Sequence, residues 1–158
     1  MKKELIMLVG VPGSGKSTWR NSKYNKFKDC TAIFSTDDII EEIALNYGMT
    51  YSEIFKDCIT LAEKVAFHKL DIWFKNEHTR IVIDRTNMSK KARKKILDKV
   101  PDDYEKTCIV FSYPEDIEAR LASRPGKIIP MSIISDMLNR FEKPSLEEGF
   151  DFLYSAKE

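Results

Sequence analysis

Three cysteines, two histidines, six glycines and six prolines are few for 158 residues. Cys30, Cys58 and Cys108 stand far apart and none belongs to a CxxC pair, so neither a disulfide framework nor a zinc site is indicated. What remains is three reduced thiols in a cytosolic protein, packed as small apolar residues. His68 and His78 have no partners at metal-ligand spacing. Charge of one sign is also missing: 26 Lys and Arg balance 25 Asp and Glu, and a net charge of +1 gives the chain no strong overall pull on nucleic acid. No apolar run approaches the length of a membrane span, which excludes a membrane partner. Met1-Lys2-Lys3 before the apolar run at 5–9 imitates a secretory signal, but the run is too short and a glycine-rich loop replaces a cleavage site. The expected compartment is the cytoplasm, that of a bacterial or phage-infected cell included. Repeats, low-complexity tracts and linkers are absent, which leaves one domain over 1–158.

What is present reads as alternating strands and helices. The run at 5–9 suits a strand buried on both faces. Helix follows at 17–24, a second strand at 31–35, and a helix from Asp37 to about Asn46, capped by Thr36 and ended by Gly48. From 53 to 75, apolar residues recur at helical spacing in two rows, one with Ile54, Cys58, Leu61 and Val65, the next with Phe55, Ile59, Ala62, Ala66, Leu70 and Trp73. A third strand at 80–84 ends in a carboxylate. A basic helix spans 89–99, a fourth strand 106–112, and further helices 115–123 and 130–141, with one short element near 150–154. The order predicts an α/β fold: a parallel sheet of four or five strands flanked by helices, with right-handed crossovers.

Gly10-Val11-Pro12-Gly13-Ser14-Gly15-Lys16-Ser17, followed by Thr18, fits G-x-x-x-x-G-K-[ST] in full. The glycines let successive N–H groups aim inward, and the helix that follows presents its positive end, so Gly10, Pro12, Gly13, Ser14, Gly15, Lys16, Ser17 and Thr18 are expected to cradle phosphates. Lys16 is expected on the β- and γ-phosphates and Ser17 on Mg²⁺. The motif specifies a nucleotide and leaves the acceptor open.

Asp37 and Asp38 follow the second strand, where a carboxylate can approach the γ-phosphate and take a proton from an attacking hydroxyl. Two acids there also suit a helix's first turn, so spacing leaves both readings open. Asp84 resembles a carboxylate that orients Mg²⁺, directly or through water and Ser17. Thr86 and Asn87 offer short polar groups beside the phosphates, or turn and cap chemistry. Arg120 and Arg124 share a helix face, Pro125-Gly126 breaks that helix and Lys127 follows; this suits a small helical lid over a triphosphate or a helix C-terminus decorated with cations. Between Arg85 and Lys99 stand seven basic residues and one acid, Asp98. That segment can guide a phosphate backbone or form a solvated face.

Together these blocks resemble the 5′-kinase domain of polynucleotide kinases: Gly10 to Trp19, Ser35-Thr36-Asp37-Asp38, Ile83-Asp84-Arg85-Thr86-Asn87, and Arg120 with Arg124. The segment from Arg140 through Glu148 to Phe150 resembles the tail of that domain in the animal repair enzymes. The resemblance implies a P-loop kinase fold, ATP and Mg²⁺ as cofactors, and transfer to a 5′-hydroxyl of DNA or RNA. It implies Asp37 as general base, Lys16 and Ser17 as phosphate and metal contacts, Arg120 and Arg124 as lid arginines, and Asp38, Arg85, Thr86 and Asn87 on the substrate side. Three departures stand out. Ile40 occupies the place of an arginine that holds the acceptor's phosphate in phage-type enzymes. Arg85 stands directly before Thr-Asn where the phage form has its acid, and no D-x-D-x-T phosphatase signature occurs. A small-molecule kinase and a nucleotide-binding switch without acceptor chemistry are the alternatives. Oligomeric state, and ATP against GTP, are not encoded in any motif found.

Overall fold

The computed structural model describes residues 2–24 and 31–156; Cys30 lies outside them. Five strands, β1 (Lys3–Val9), β2 (Thr31–Phe34), β3 (Arg80–Asp84), β4 (Tyr104–Phe111) and β5 (Phe152–Ala156), pair in parallel in the order β2-β3-β1-β4-β5. The short element expected near 150–154 is thus the fifth strand. The described helices are α1 (Lys16–Tyr24), α2 (Thr36–Tyr47), α3 (Tyr51–Lys75), α4 (Lys90–Leu97), α5 (Ile117–Ala122) and α6 (Met131–Asn139). None is long and apolar enough to cross a membrane.

β1 is central because it is apolar on both faces. Leu5, Met7 and Val9 enter one core with Ala66 and Leu70 of α3, Ile96 of α4 and Ile134 of α6. Ile6 and Leu8 enter the other, where Trp19 of α1 meets Phe111 edge-on with ring centroids 6.2 Å apart. β1 has β3 on one side and β4 on the other, so the chain's crossovers depart in opposite directions at its C-terminal end. In open parallel sheets that switch point is where a ligand crevice opens.

Several local expectations change. Ser35, not Thr36, caps α2 by accepting from the Asp38 amide, and Thr36 is its first helical residue. Thr50 caps α3, which starts two residues earlier than its apolar rows suggest. Those rows are not uniformly buried: Ile54, Ala62, Ala66 and Leu70 face the core, while Phe55 and Leu61 are exposed. Ile40 is fully buried where α2 packs on α3.

The basic segment is largely neutralised internally. Arg93 is fully buried, with Nε donating to Glu148 Oε1 at 2.8 Å and Nη1 to the Asn87 carbonyl at 2.9 Å. Lys94 pairs with Asp98, Lys99 with Asp71, and Arg85 with Glu63. Asn87, expected to face substrate, is buried with φ of 49°, and its amide donates to the Leu8 carbonyl at 2.7 Å. It therefore clamps β1 just before the phosphate loop, and the neighbouring Thr86 carbonyl accepts from the Gly10 amide at 3.0 Å. Glu148, Arg93, Asn87 and Leu8 form one buried relay from the tail to the loop. Removing one member of a buried ion pair strands the other charge. Glu148→Ala should cost about 3–5 kcal/mol, a fall of roughly 6–20 °C in thermal midpoint for a chain of this size. A midpoint within a degree of the parent would deny the relay a structural role.

Candidate functional site

The loop between β1 and α1 keeps its shape through glycine. Gly13 has φ of 83°, and a Cβ there would lie 2.9 Å from Ile117 and 3.1 Å from Leu121 of α5, so backbone freedom and close approach coincide. Lys16 is buried, and its ammonium donates to the Gly10 and Val11 carbonyls at 2.7 and 2.9 Å. Burial lowers its pKa to about 8, a shift that the carboxylates of Asp84 and Asp37 only partly oppose.

Carboxylates from two neighbouring strand ends converge beside this loop. Ser17 Oγ donates to Asp84 Oδ2 at 2.9 Å, and Arg20, one helical turn further along α1, lies 3.0 Å from the same oxygen. Arg20 also bonds Asp38 at 2.6 Å, so one guanidinium spans both acids. Burial raises the Asp84 pKa, and the nearby Arg20 and Lys16 charges restrain the rise. Among the described residues no cluster of three or more His, Cys, Asp or Glu could hold a metal. Ser17 and Asp84 nevertheless fit a hard cation that takes its remaining ligands from phosphates, as Mg²⁺ commonly does.

Asp37 opens α2 with both oxygens engaged. Oδ1 accepts from the Tyr51 hydroxyl at 2.7 Å and Oδ2 from the Lys127 ammonium at 2.9 Å. Burial alone would raise its pKa, but Lys127 and the Tyr51 hydroxyl outweigh that and hold it below the ordinary carboxylate value. Lys127 arrives through a clip between the lid and the start of α3. The Ser52 amide donates to the Gly126 carbonyl at 3.0 Å, and the Ile128 amide to Ser52 Oγ at 2.8 Å. Gly126, with φ of 69°, passes so close to Thr50 that a Cβ would lie 2.8 Å from its side chain. In the same lid, Arg120 pairs with Asp116 and reaches the Gly13 carbonyl at 3.4 Å, while Arg124 meets no carboxylate among the described residues.

Three cavities surround these groups. The first, about 440 Å³, holds Lys16, Ser17, Thr18, Arg20, Asp38 and Arg124 in its wall. A second, about 640 Å³, continues past Gly15, Thr18, Trp19, Phe111 and Arg120. The third, about 590 Å³, lies beyond Asp37 and is walled by Tyr51, Phe55, Ile59, Ile133 and Met137. Pro12, Asp37, Asp84, Arg85, Thr86 and Lys127 line both the first and the third. These six residues form the boundary, or junction, that the two cavities share.

Of the expected site residues, Lys16, Ser17, Thr18, Asp37, Asp38, Asp84, Arg85, Thr86 and Arg124 line the first cavity, with Pro12, Gly13 and Gly15. Ser14 is a buried loop residue that lines the second cavity, Gly10 is outside the first cavity's wall, and Asn87 faces inward. Arg20 and Tyr51 were missed, and Lys127 is legible in the sequence as the cation after the Pro125-Gly126 break without a role of its own. Arg20 also carried a sequence signal, three residues past Ser17 and hence on its helix face.

A family model described as AAA domain, of the AAA_33 type, matches residues 5–144. Among solved structures, a chain of the Pnkp1/Rnl/Hen1 RNA repair complex is 25% identical with a TM-score of 0.66, over 88% of this chain and 44% of that one. This chain thus spans less than half of that relative's length. A gluconokinase from Sinorhizobium meliloti 1021 is 17% identical, TM-score 0.57, over 96% of this chain and 81% of that one. A fungal RNA kinase is 16% identical, TM-score 0.55, over 99% and 76%. The last two show the fold alone.

A charged Lys16 attracts phosphate and a neutral one does not. With its pKa in the free protein lowered to about 8, ADP affinity should be flat below that pH. Above it, affinity should fall by up to about tenfold per pH unit, because binding must then take up a proton. Isothermal titration across pH 6.5–9.5 reads this, with Lys16→Gln expected to flatten the profile. A flat wild-type profile would contradict the assignment.

Proposed function

The chain belongs to the AAA_33 family of P-loop kinases, and from that premise we propose that it transfers the γ-phosphoryl group of ATP to the 5′-hydroxyl of a polynucleotide. The observation that carries this reading is the junction of the two cavities at Asp37. ATP occupies the loop side, its phosphates against Lys16 and the amides of the loop and α1, with Arg120 and Arg124 over them. Its nucleoside extends toward Trp19 and Phe111. Ser17 and Asp84 would hold Mg²⁺, which when bound neutralises phosphate charge. The acceptor enters from the opposite side and offers its hydroxyl to Asp37. The new O–P bond forms as the bond to the β–γ bridging oxygen breaks; ADP keeps the electron pair and Asp37 takes the hydroxyl proton. A lowered pKa is no obstacle here, since phosphoryl transfer depends chiefly on orientation and charge stabilisation.

The third cavity supports a nucleotide acceptor over a sugar. Tyr51 and Phe55, with centroids 5.5 Å apart, give a terminal base an aromatic surface, and Ile59, Ile133 and Met137 extend it. A polyhydroxylated sugar acid would set part of its surface against Phe55, Ile59, Ile133 and Met137 and find hydrogen-bond partners only on the cavity's polar side, at Thr36, Ser52, Glu53 and Glu63. Lys56 on the same wall has no carboxylate partner among the described residues and suits the phosphate that follows the first nucleoside. That a relative at 25% identity belongs to an RNA repair complex supports a polynucleotide acceptor.

A small-molecule acceptor is favoured by two features, the internal neutralisation of the basic segment and the buried Ile40. The two readings separate on which acceptor takes the label. Few unpaired cations line the acceptor side, so oligonucleotide affinity should fall only gently with salt, with a log–log slope of roughly −0.7 to −1.4 for one or two phosphate contacts. A 5′-hydroxyl oligonucleotide should accept label from γ-labelled ATP far better than nucleosides or sugars. Asp37→Asn should lower that transfer by about 10²–10⁴-fold while ADP affinity stays unchanged. Preferred labelling of a sugar, or full turnover by Asp37→Asn, would overturn the assignment.

A further inference from the structure

The lid contributes a cation just past the Pro125-Gly126 break. Lys127 is only 9% exposed, yet it lines both cavities that meet at Asp37. Its ammonium has three N–H donors. One acceptor lies within hydrogen-bond distance, Asp37 Oδ2 at 2.9 Å; Glu41 Oε1 is 3.7 Å away, and the Tyr51 ring lies beneath at 4.3 Å to its centroid. A buried ammonium with one strong acceptor has capacity for another anionic oxygen. Its position is fixed by the clip of Gly126 and Ile128 onto Ser52, so little reorganisation is needed to present it. Arg85, the other cation shared by the two cavities, is bonded to Glu63 at 3.0 Å.

We propose that Lys127 is a further catalytic residue of the transfer: it orients Asp37 and sets its ammonium against the nonbridging oxygens of the phosphoryl group crossing the junction. The inference rests on the reading of Asp37 as the residue that receives the acceptor hydroxyl. As the hydroxyl oxygen bonds to the γ-phosphorus and ADP departs with the bridging electron pair, negative charge passes between the Asp37 and Asp84 carboxylates. A preorganised cation at that point favours the transition state over the bound substrates.

The test compares Lys127→Met, which keeps the packing over Tyr51, with Lys127→Arg and Asp37→Asn, using γ-labelled ATP and a 5′-hydroxyl oligonucleotide. Lys127→Met should lose about 10²–10³-fold in kcat, with ADP affinity and the KM for ATP unchanged. Lys127→Arg should recover at least about a tenth of the parent rate, since it restores the charge. Lys127→Gln reads the same difference should the methionine variant not fold. Normal kcat in Lys127→Met or Lys127→Gln, or a loss confined to the KM for ATP, overturns the role of Lys127. An active Asp37→Asn removes the Asp37 reading instead, and an inactive Asp37→Asn beside a fully active Lys127→Met sinks the Lys127 proposal alone.

Discussion

Buried charge around the phosphate loop is the constraint on which the rest depends. Lys16, Arg20, Asp84 and Lys127 are each less than a tenth exposed, and unpaired charges at such depth would cost several kcal/mol each. The fold meets this cost by pairing them across elements: Lys16 with the loop's own carbonyls, Arg20 with Asp84 and Asp38, Lys127 with Asp37. In the free protein these buried charges are thus partly satisfied by one another and by backbone carbonyls. On the proposed reading, a polyphosphate would take over the cations and an acceptor hydroxyl would use Asp37, an exchange of partners among groups already in position.

The parallel sheet makes this arrangement possible. Because β1, β2 and β3 all run the same way, the loop after β1, the carboxylates that open α2 and the acid that ends β3 emerge at one edge. Behind that edge, Asn87 and Thr86 tie the end of β3 to β1, and Arg93 with Glu148 lock Asn87 in turn. The tail segment that resembles repair enzymes thus supports the loop from a distance. Much of the charge in the basic segment is paired within the protein, which removes the most obvious surface for a nucleic-acid backbone; on the proposed reading, recognition would fall to the wall beyond Asp37.

The phosphate loop was legible in the sequence because its chemistry is local: glycines, lysine and serine act within eight residues of one another. Strand β3 was legible to the residue, since an apolar run ending in a carboxylate has few other readings. The pairs that build the site were not legible, because they join residues remote in sequence. Lys127 and Asp37 are 90 positions apart, and Arg93 and Glu148 are 55 apart. Asn87 misled because its residue type suits both substrate contact and a tight inward turn; only its backbone at positive φ and its burial decide. Phe55 and Leu61 misled for a related reason. Helical spacing gives the width of an apolar stripe but not which edge of it another element covers, and Phe55 turns out to face a cavity.

The most direct measurement is a crystal structure of the protein with ADP, an aluminium fluoride mimic of the phosphoryl group and a 5′-hydroxyl oligonucleotide. The account predicts the fluoride group at the junction bounded by Asp37, Asp84, Arg85, Thr86 and Lys127, with the 5′-oxygen on the Tyr51 side and ADP on the Lys16 side. A fluoride group away from Asp37, or an oligonucleotide reaching it from the Trp19 side, would contradict the account.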